Sequence, residues 1–468
     1  MTTKLSQNQT KYPHALLTGD EVNLVKSKSK SETINGTVNK WIGKRTYPFR
    51  ALRVTGFYAA PGEIVTVTIP KDLIFKVSVE IGVDGTKSKR INYKRFQTTT
   101  QQFASPFGGP ISLTLDDKDA TTKIGMFEIT VDNAVEAPYF VQGQTTNEDW
   151  KNLRKSAAPW AVLRVPGQVQ MYVETHKIQN VKDMSSVMSS LKKYMDELDH
   201  MLGIPVGFQQ GEERVHYNPY CFYGGYTQDH ATNDGWICSG AGYTEINPAF
   251  INEILDPKEP RAIFGHELGH RACYYDLPTA GGPQHFAEIP RYYLNVKEGT
   301  VNSDRWLRTD FQILKKLMNF KTFSKGKPCY EFYLWSHIPK GIPYRVTAFE
   351  NCWTIIYRLP FKEFGVDIFR KALTATRKMP DLKWAKLSEK TDRLVDLYCK
   401  ATQHNLIPFF NFFNIHVNDS VATPCKAQPK PKMLSTYMEI ATCLMDENTS
   451  DAECTNIKGL WPTPKGKI

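Results

Sequence analysis

Several things are missing from this chain, and each absence removes a class of protein. No apolar run approaches the ~18 residues of a membrane-spanning helix, so no transmembrane segment is expected. The opening stretch, MTTKLSQNQTKYPHALLTGDEVNLVKSKSKSE, lacks the apolar core of a signal peptide. It reads as a protein that stays inside, leaves by another route, or does not start natively at Met1. There is no CxxC pair among the nine cysteines, which argues against a structural zinc knot. No internal repeat is visible. Nor is charge of one sign gathered in one place. The formal net charge is +11, but the basic residues are spread out. Small clusters at Lys26 to Lys30, Lys87 to Arg95 and near Lys430 carry no nucleic-acid motif and read as solvated surface. No nucleic-acid partner is expected.

The cysteines and sequons say little about compartment. Cys273 and Cys352 sit in apolar, helix-like surroundings and read as buried thiols. Cys425, Cys443 and Cys454 lie in or near a polar tail and could form a disulfide in an exported protein. Sequons at Asn8, Asn35, Asn418 and Asn448 are no more than a chain this long carries by chance.

What is present falls into blocks. Residues 1–45 are polar and lack sustained periodicity, so they read as an arm. From 46 the pattern alternates with period two. GEIVTVTIP (Gly62 to Pro70) and LIFKVSVEIG (Leu73 to Gly82) are half-buried strand chemistry, with Leu73, Phe75, Val77, Val79 and Ile81 on one face. ISLTL, GMFEITV and VQMYVET continue the pattern, which predicts a β-sandwich over 46–175. After 180 the period changes. Met184, Val187, Met188, Leu191, Tyr194, Met195 and Leu198 recur at helical spacing, with Asp183 as N-cap. Further helices are predicted at 259–275, 303–320, 346–358, 361–378 and 388–403, and Gly/Tyr-rich loops and short strands at 205–250. The expected class is therefore α+β and multidomain: an N-terminal β-sandwich, a mainly helical domain over 176–420, and a tail over 421–468.

The helix at 259–275 carries the chemistry. RAIFGHELGHRACYYD (Arg261 to Asp276) contains His266-Glu267-Leu268-Gly269-His270. On a helix, residues i and i+4 face the same way, so His266 and His270 can present two imidazoles to one metal ion. Glu267 is offset from that face and suits a general base acting on water. Gly265 and Gly269 are poor helix formers; they make sense where another backbone or a substrate packs close. Alone, the pattern also fits two histidines sharing an ordinary helix. A third ligand would decide. Glu288, eighteen residues beyond His270, is the candidate, at the head of a next helix; Asp276 and His285 are alternatives. The aromatic segment before this helix (Tyr217, Tyr220, Tyr223, Tyr226, Trp236, Tyr243) offers ring faces for sugars. GAGYTE (Gly240 to Glu245) reads as an edge strand for extended substrate.

At this point the residues resemble the enhancin-like zinc peptidases, family M-sixty of the gluzincin group. The family pattern, HExxH and then a ligand Glu opening a helix, maps onto His266, Glu267, His270 and Glu288. VTGFYAAPGEIVTVTIP (Val54 to Pro70), SPFGGPISLTL (Ser105 to Leu115), AAPWAVLRVPGQVQMYV (Ala157 to Val173) and ATQHNLIPFFNFFNI (Ala401 to Ile415) are similar to further family segments. The resemblance covers about Trp41 to Val417. It implies a β-sandwich followed by a gluzincin-type metallopeptidase domain, one Zn²⁺ per chain, and cleavage of glycoproteins, many of them mucin-like and O-glycosylated. It favours an extracellular or cell-surface setting. Trp236, Gly240 and Tyr243 are the candidate substrate contacts, and Tyr292, Tyr293 and Tyr243 the candidate oxyanion donors. Pro290, Arg271 and Ala272 depart from the family pattern. The channel-associated factors of animals keep this fold with a broken metal motif, so a catalytically silent glycan- or protein-binding member is the alternative.

Overall fold

The structure, a computed structural model, describes residues 29–37, 51–82, 91–115, 123–204, 212–217, 225–228, 243–246, 248–270, 276–278, 284–300, 356–361, 363–382 and 385–432, with 439 and 443. The chain divides into two compact units. One is Met1–Ile42, Tyr47–Asp196 and Gly207–Glu259; the other is Gly43–Thr46, Glu197–Val206 and Pro260–Ile468.

The first unit opens with a sandwich of two antiparallel sheets. Its strands are β1 (Lys30–Thr37), β2 (Ala51–Ala59), β3 (Ile64–Thr68), β4 (Val77–Ile81), β5 (Ile91–Arg95), β6 (Thr100–Ala104), β7 (Gly109–Leu115), β8 (Lys123–Asp132) and β9 (Val135–Glu136). One sheet runs β1-β8-β3-β6 and the other β5-β4-β7-β2-β9. Period-two alternation sends Ile34, Val65, Val67, Ile129 and Val131 of the first sheet against Val77, Val79, Ile111 and Leu113 of the second. Three details differ from the sequence reading. β1 lies inside the stretch read as a polar arm and pairs with β8. Among SETINGT only Ile34 brings an apolar side chain to the core, so the periodic signal was too weak to see. Next, Phe75 is 60% exposed although its neighbours in the period are buried. A 3-10 turn at Lys71–Leu73 and a left-handed Phe75 (φ 64) put it in a turn, and the strand starts at Val77. Finally, β4 is buried on both faces. Glu80 pairs there with the buried Arg214, which lies over the Tyr172 ring.

The reason is a second layer. β10 (Tyr139–Val141), β11 (Trp160–Val165), β12 (Val169–Glu174), β13 (Glu213–Tyr217), β14 (Gly225–Gln228) and β15 (Tyr243–Ile246) form a mixed sheet ordered β10-β11-β12-β13-β15-β14. VQMYVET is β12 of this sheet rather than part of the sandwich, and β13 pairs with it in parallel. Val54, Tyr58, Val135, Trp160, Val162 and Tyr172 pack the mixed sheet on the sandwich. A hydrogen bond of 2.6 Å between Ser112 and Tyr172 crosses that layer. Helices α1 (Asn147–Leu153), α2 (Thr175–Ile178), α3 (Met184–Met201) and α4 (Asn252–Leu255) accompany these strands. All seven apolar positions read from the helical period of α3 are buried. Asp183 caps its first turn, accepting from Ser186 N at 3.0 Å.

The second unit is helical where described. It comprises α5 (Ala262–His270), α6 (Gln284–Lys297), a helical segment at 356–361, α7 (Asp367–Thr376), α8 (Leu387–Thr402), α9 (Ile407–Phe412) and α10 (Asp419–Lys426). Ile368, Phe369, Leu394, Tyr398, Phe409 and Phe410 are buried along it. The helix predicted at 303–320 and most of that at 346–358 lie outside the described residues. A disulfide joins Cys399 of α8 to Cys425 of α10, with Cα atoms 5.6 Å apart. Cys425 thus pairs with a helix cysteine and not with the tail; Cys443 is also disulfide-bonded. Among the described residues no helix is long and apolar enough to cross a membrane. The architecture is α+β and multidomain, sheet-rich first and helical after.

Candidate metal centre

Helices α5 and α6 build the site, and both belong to the second unit. Two contacts fix them antiparallel. At the start of α5, Asn295 Oδ1 accepts from Arg261 N at 2.9 Å, and the buried Arg261 guanidinium pairs with Glu298 at 2.5 Å. At the far end, α5 presents Gly269 to the backbone of Ala287. A Cβ on Gly269 would lie 2.6 Å from Ala287 Cα and 2.8 Å from its carbonyl carbon, and closer still to its oxygen. No side chain fits there, which accounts for a glycine inside this helix.

This close approach brings the motif to the second helix. His266 Nδ1 stands 2.7 Å from Glu288 Oε1. Glu267 is 3% exposed. Glu288 is the fifth residue of α6 rather than its head, because the helix runs from Gln284 straight through Pro290. Pro290 withholds one backbone donor, from the carbonyl four residues earlier, and the rest of the ladder persists. The side chains of His270 and His285 lie outside the described residues, though both backbones are helical. Asp276 is buried and engaged elsewhere, accepting from Leu382 N at 2.8 Å and Arg393 Nη1 at 3.0 Å.

Two arginines complete the surroundings of Glu288. Arg291 Nη1 reaches Oε1 at 2.8 Å, and Arg358 Nη2 reaches Oε2 at 3.1 Å. Burial acts to raise the Glu288 carboxyl, but the Arg291 charge, the His266 hydrogen bond and charge and the Arg358 charge hold it well below the usual carboxylate range. It is ionised, as a metal ligand must be. For His266, burial acts to lower the imidazole, yet the hydrogen bond and charge of Glu288 carry it above its ordinary value.

The other predicted residues are placed as follows. Tyr292 is buried, with the Arg358 guanidinium 4.7 Å from its ring centroid. Tyr293 is turned to Lys297, whose Nζ is 5.8 Å from its ring. Trp236 and Gly240 lie outside the described residues. Tyr243 opens β15, and its side chain is not among those described. Among the described residues β15 is an interior strand between β13 and β14, so Tyr243–Ile246 is not an edge; the edge strands are β10 and β14. Sequence reading missed Arg291 and Arg358. Arg291 was within reach of it, since i+3 on a helix is a neighbour; Arg358, seventy residues from Glu288, left no sequence signal.

Among the described residues no three His, Cys, Asp or Glu side chains are gathered as a metal-binding group. The donor set nonetheless fits zinc: an imidazole and an ionised carboxylate in contact, and a second histidine four residues on along the same helix.

A sheet-rich unit is followed along the chain by this antiparallel helix pair, which carries the HExxH motif of a peptidase-type domain. Residues 133–274 match the family described as Peptidase M60, enhancin and enhancin-like, and residues 37–132 match the N-terminal domain of M60-like peptidases. The chain belongs to this enhancin and enhancin-like peptidase family. The match takes in His266, Glu267 and His270 and ends before Glu288. Among curated proteins, the chain is 23% identical to TRPM8 channel-associated factor 3 of Rattus norvegicus over 421 residues, which is 84% of this chain and 40% of that protein. The chain spans about 40% of the length of the first curated relatives it matches. Among solved structures it is similar to a functionally unknown conserved protein of Bacillus anthracis str. Ames (TM-score 0.66, 14% identity, 86% of this chain and 80% of that one). It is also similar to the M60 catalytic domain of Clostridium perfringens ZmpC, solved in complex with the sialyl T antigen (TM-score 0.60, 12% identity, 90% and 84%).

Proposed function

We propose that this protein is a zinc-dependent endopeptidase acting on glycoproteins, in particular mucin-like O-glycosylated ones, with one zinc per chain held by His266, His270 and Glu288. The observation that carries the reading is the 2.7 Å contact of His266 with Glu288 across the Gly269 approach, beside the buried Glu267. Zinc, when bound, supplies Lewis acidity that lowers the pKa of water and polarises a carbonyl. The chain's own residues do the rest. A Glu267 carboxylate oxygen takes the proton of the attacking water and passes it to the leaving amine. Glu288, kept ionised by Arg291 and Arg358, needs no proton removed before it ligates. Tyr292, four residues from Glu288 on α6, shares its face and is the better placed of the two α6 oxyanion candidates. Trp236, Gly240 and Tyr243 are assigned to substrate contact. The glycan bound by the similar ZmpC domain supports the substrate class.

A second reading has its own support. By sequence the chain is similar to channel-associated factors, and two arginines already occupy the Glu288 carboxylate. A catalytically silent glycan- or protein-binding member follows from those facts. Zinc content and turnover together separate the two. The peptidase reading expects about one zinc per purified chain and cleavage of an O-glycosylated mucin-type glycoprotein, abolished by chelator and seen by mass spectrometry. A zinc-loaded protein that cleaves nothing across a broad glycoprotein panel would move the assignment to the binding reading.

A further inference from the structure

We propose that Arg358 is a positioning residue for the metal centre: it fixes where the Glu288 carboxylate stands on α6, while Arg291 only balances charge there. The proposal rests on the reading that His266, His270 and Glu288 hold a metal. Arg358 lies in the helical segment 356–361, and its side chain is 3% exposed. Its Nη2 donates to two acceptors of the same residue, Glu288 O and Glu288 Oε2, each at 3.1 Å. One nitrogen bonded to both the main-chain and the side-chain oxygen ties the carboxylate to its own helix backbone. Rotation about the Glu288 side-chain bonds would break the Oε2 bond, and a guanidinium that followed it would lose the bond to the main-chain oxygen. The guanidinium is itself held, since its carbon sits 4.7 Å from the Tyr292 ring centroid. This leaves Glu288 Oε1 toward His266.

Arg291 is built differently. It leaves the same helix one turn later, its side chain is 27% exposed, and its ion pair is with Oε1, the oxygen that faces His266. Its described bond to Glu288 is to the side chain alone, from a more exposed guanidinium. Both arginines repel a metal cation through their charge, so if charge alone mattered, removing either would tighten metal binding. If Arg358 positions the ligand, its loss must act the other way.

The test measures the dissociation constant for Zn²⁺ by competition with a chromophoric chelator, for wild type, Arg358→Lys and Arg291→Gln. Lysine keeps the charge but offers a mobile point donor in place of the planar, stacked guanidinium. Arg358→Lys is expected to weaken zinc about 10- to 100-fold, the usual range for partners that orient a metal ligand. Arg291→Gln is expected to bind zinc as tightly as wild type or more tightly. Loading with Co²⁺ adds a geometric readout: the visible absorption bands of wild type and Arg291→Gln should coincide, and those of Arg358→Lys should shift or lose intensity. Tyr292→Leu removes the platform under the guanidinium while staying apolar, and serves if Arg358→Lys does not fold; a smaller loss of affinity in the same direction is expected. Unaltered zinc affinity in Arg358→Lys, or an equal loss in Arg358→Lys and Arg291→Gln, overturns the proposal and leaves the metal site standing. A wild type that holds no metal overturns both.

Discussion

One methyl group placed at Gly269 probes the joint between the two site helices. In Gly269→Ala the new Cβ would meet Ala287 Cα at 2.6 Å and its carbonyl carbon at 2.8 Å. Carbon atoms pack at about 3.5–4.0 Å, so α5 and α6 must separate by about 1 Å at this point. The obstacles are backbone atoms, which cannot turn aside as a side chain can. Overpacking of this kind costs about 1–3 kcal/mol, and three backbone contacts place it toward the upper end. Alanine returns about 1 kcal/mol of helix propensity. The net loss is about 1–2 kcal/mol, which for a unit of this size lowers Tm by roughly 2–8 °C. The same movement carries His266 and His270 away from Glu288, and metal–ligand distances tolerate only about ±0.2 Å. Zinc affinity should therefore fall by more than about tenfold, a larger effect than the stability change alone gives. Calorimetry with and without zinc, and chelator competition, measure the two effects. A variant with unchanged Tm and unchanged zinc affinity would refute the close approach and the role assigned to it.

Other outcomes follow from the same geometry. Glu288→Ala should lose zinc, whereas His285→Ala should retain it; loss of metal from His285→Ala instead would replace the third ligand. Asp276→Ala should keep zinc yet lower stability by about 3 kcal/mol, because the largely buried Arg393 and the Leu382 amide lose their acceptor; a zinc-free Asp276→Ala of unaltered stability would reverse that assignment. In the first unit, burial raises the Glu32 carboxyl to about 7, against the Gly56 amide and the Arg164 charge, from an ordinary value of 4.5. The folded state then holds an extra proton between those values, so stability is fully present below the ordinary value and is lost as pH rises through about 7, by about 3 kcal/mol. Glu32→Gln should flatten that slope in denaturant titrations between pH 5 and pH 8; an unchanged slope would remove Glu32 as its source.

How much of this could be read beforehand depends on the range of each interaction. Helix α3 was legible because its signal is local: seven apolar residues at helical spacing behind an aspartate cap. The sandwich strands were legible for the same reason, except where a turn interrupted the period at Phe75 or where a strand, β1, brought only Ile34 to the core. Burial of β4 on both faces was not legible. Glu80 looks like a solvent-facing residue until Arg214, from a strand 134 residues away, is seen to pair with it. At the site, the two glycines of α5 already hinted at a close backbone, and Gly269 meets one. The contact of His266 with Glu288 depends on how α6 passes α5, and the spacing alone left Asp276 and His285 open. Pro290, a departure from the family pattern beside Glu288, withholds one backbone donor, and α6 continues through it.

The central claim is that Glu267 acts on water beside a metal held by other residues. Glu267→Gln tests it most directly, since the amide is nearly the same size as the carboxylate and cannot take up the proton. Wild type and variant are compared side by side for zinc content and for cleavage of an O-glycosylated and a deglycosylated substrate, read by mass spectrometry. The account predicts that Glu267→Gln folds, holds about one zinc per chain, and loses cleavage by ~10²–10⁴-fold. Equal cleavage by the two proteins would contradict it.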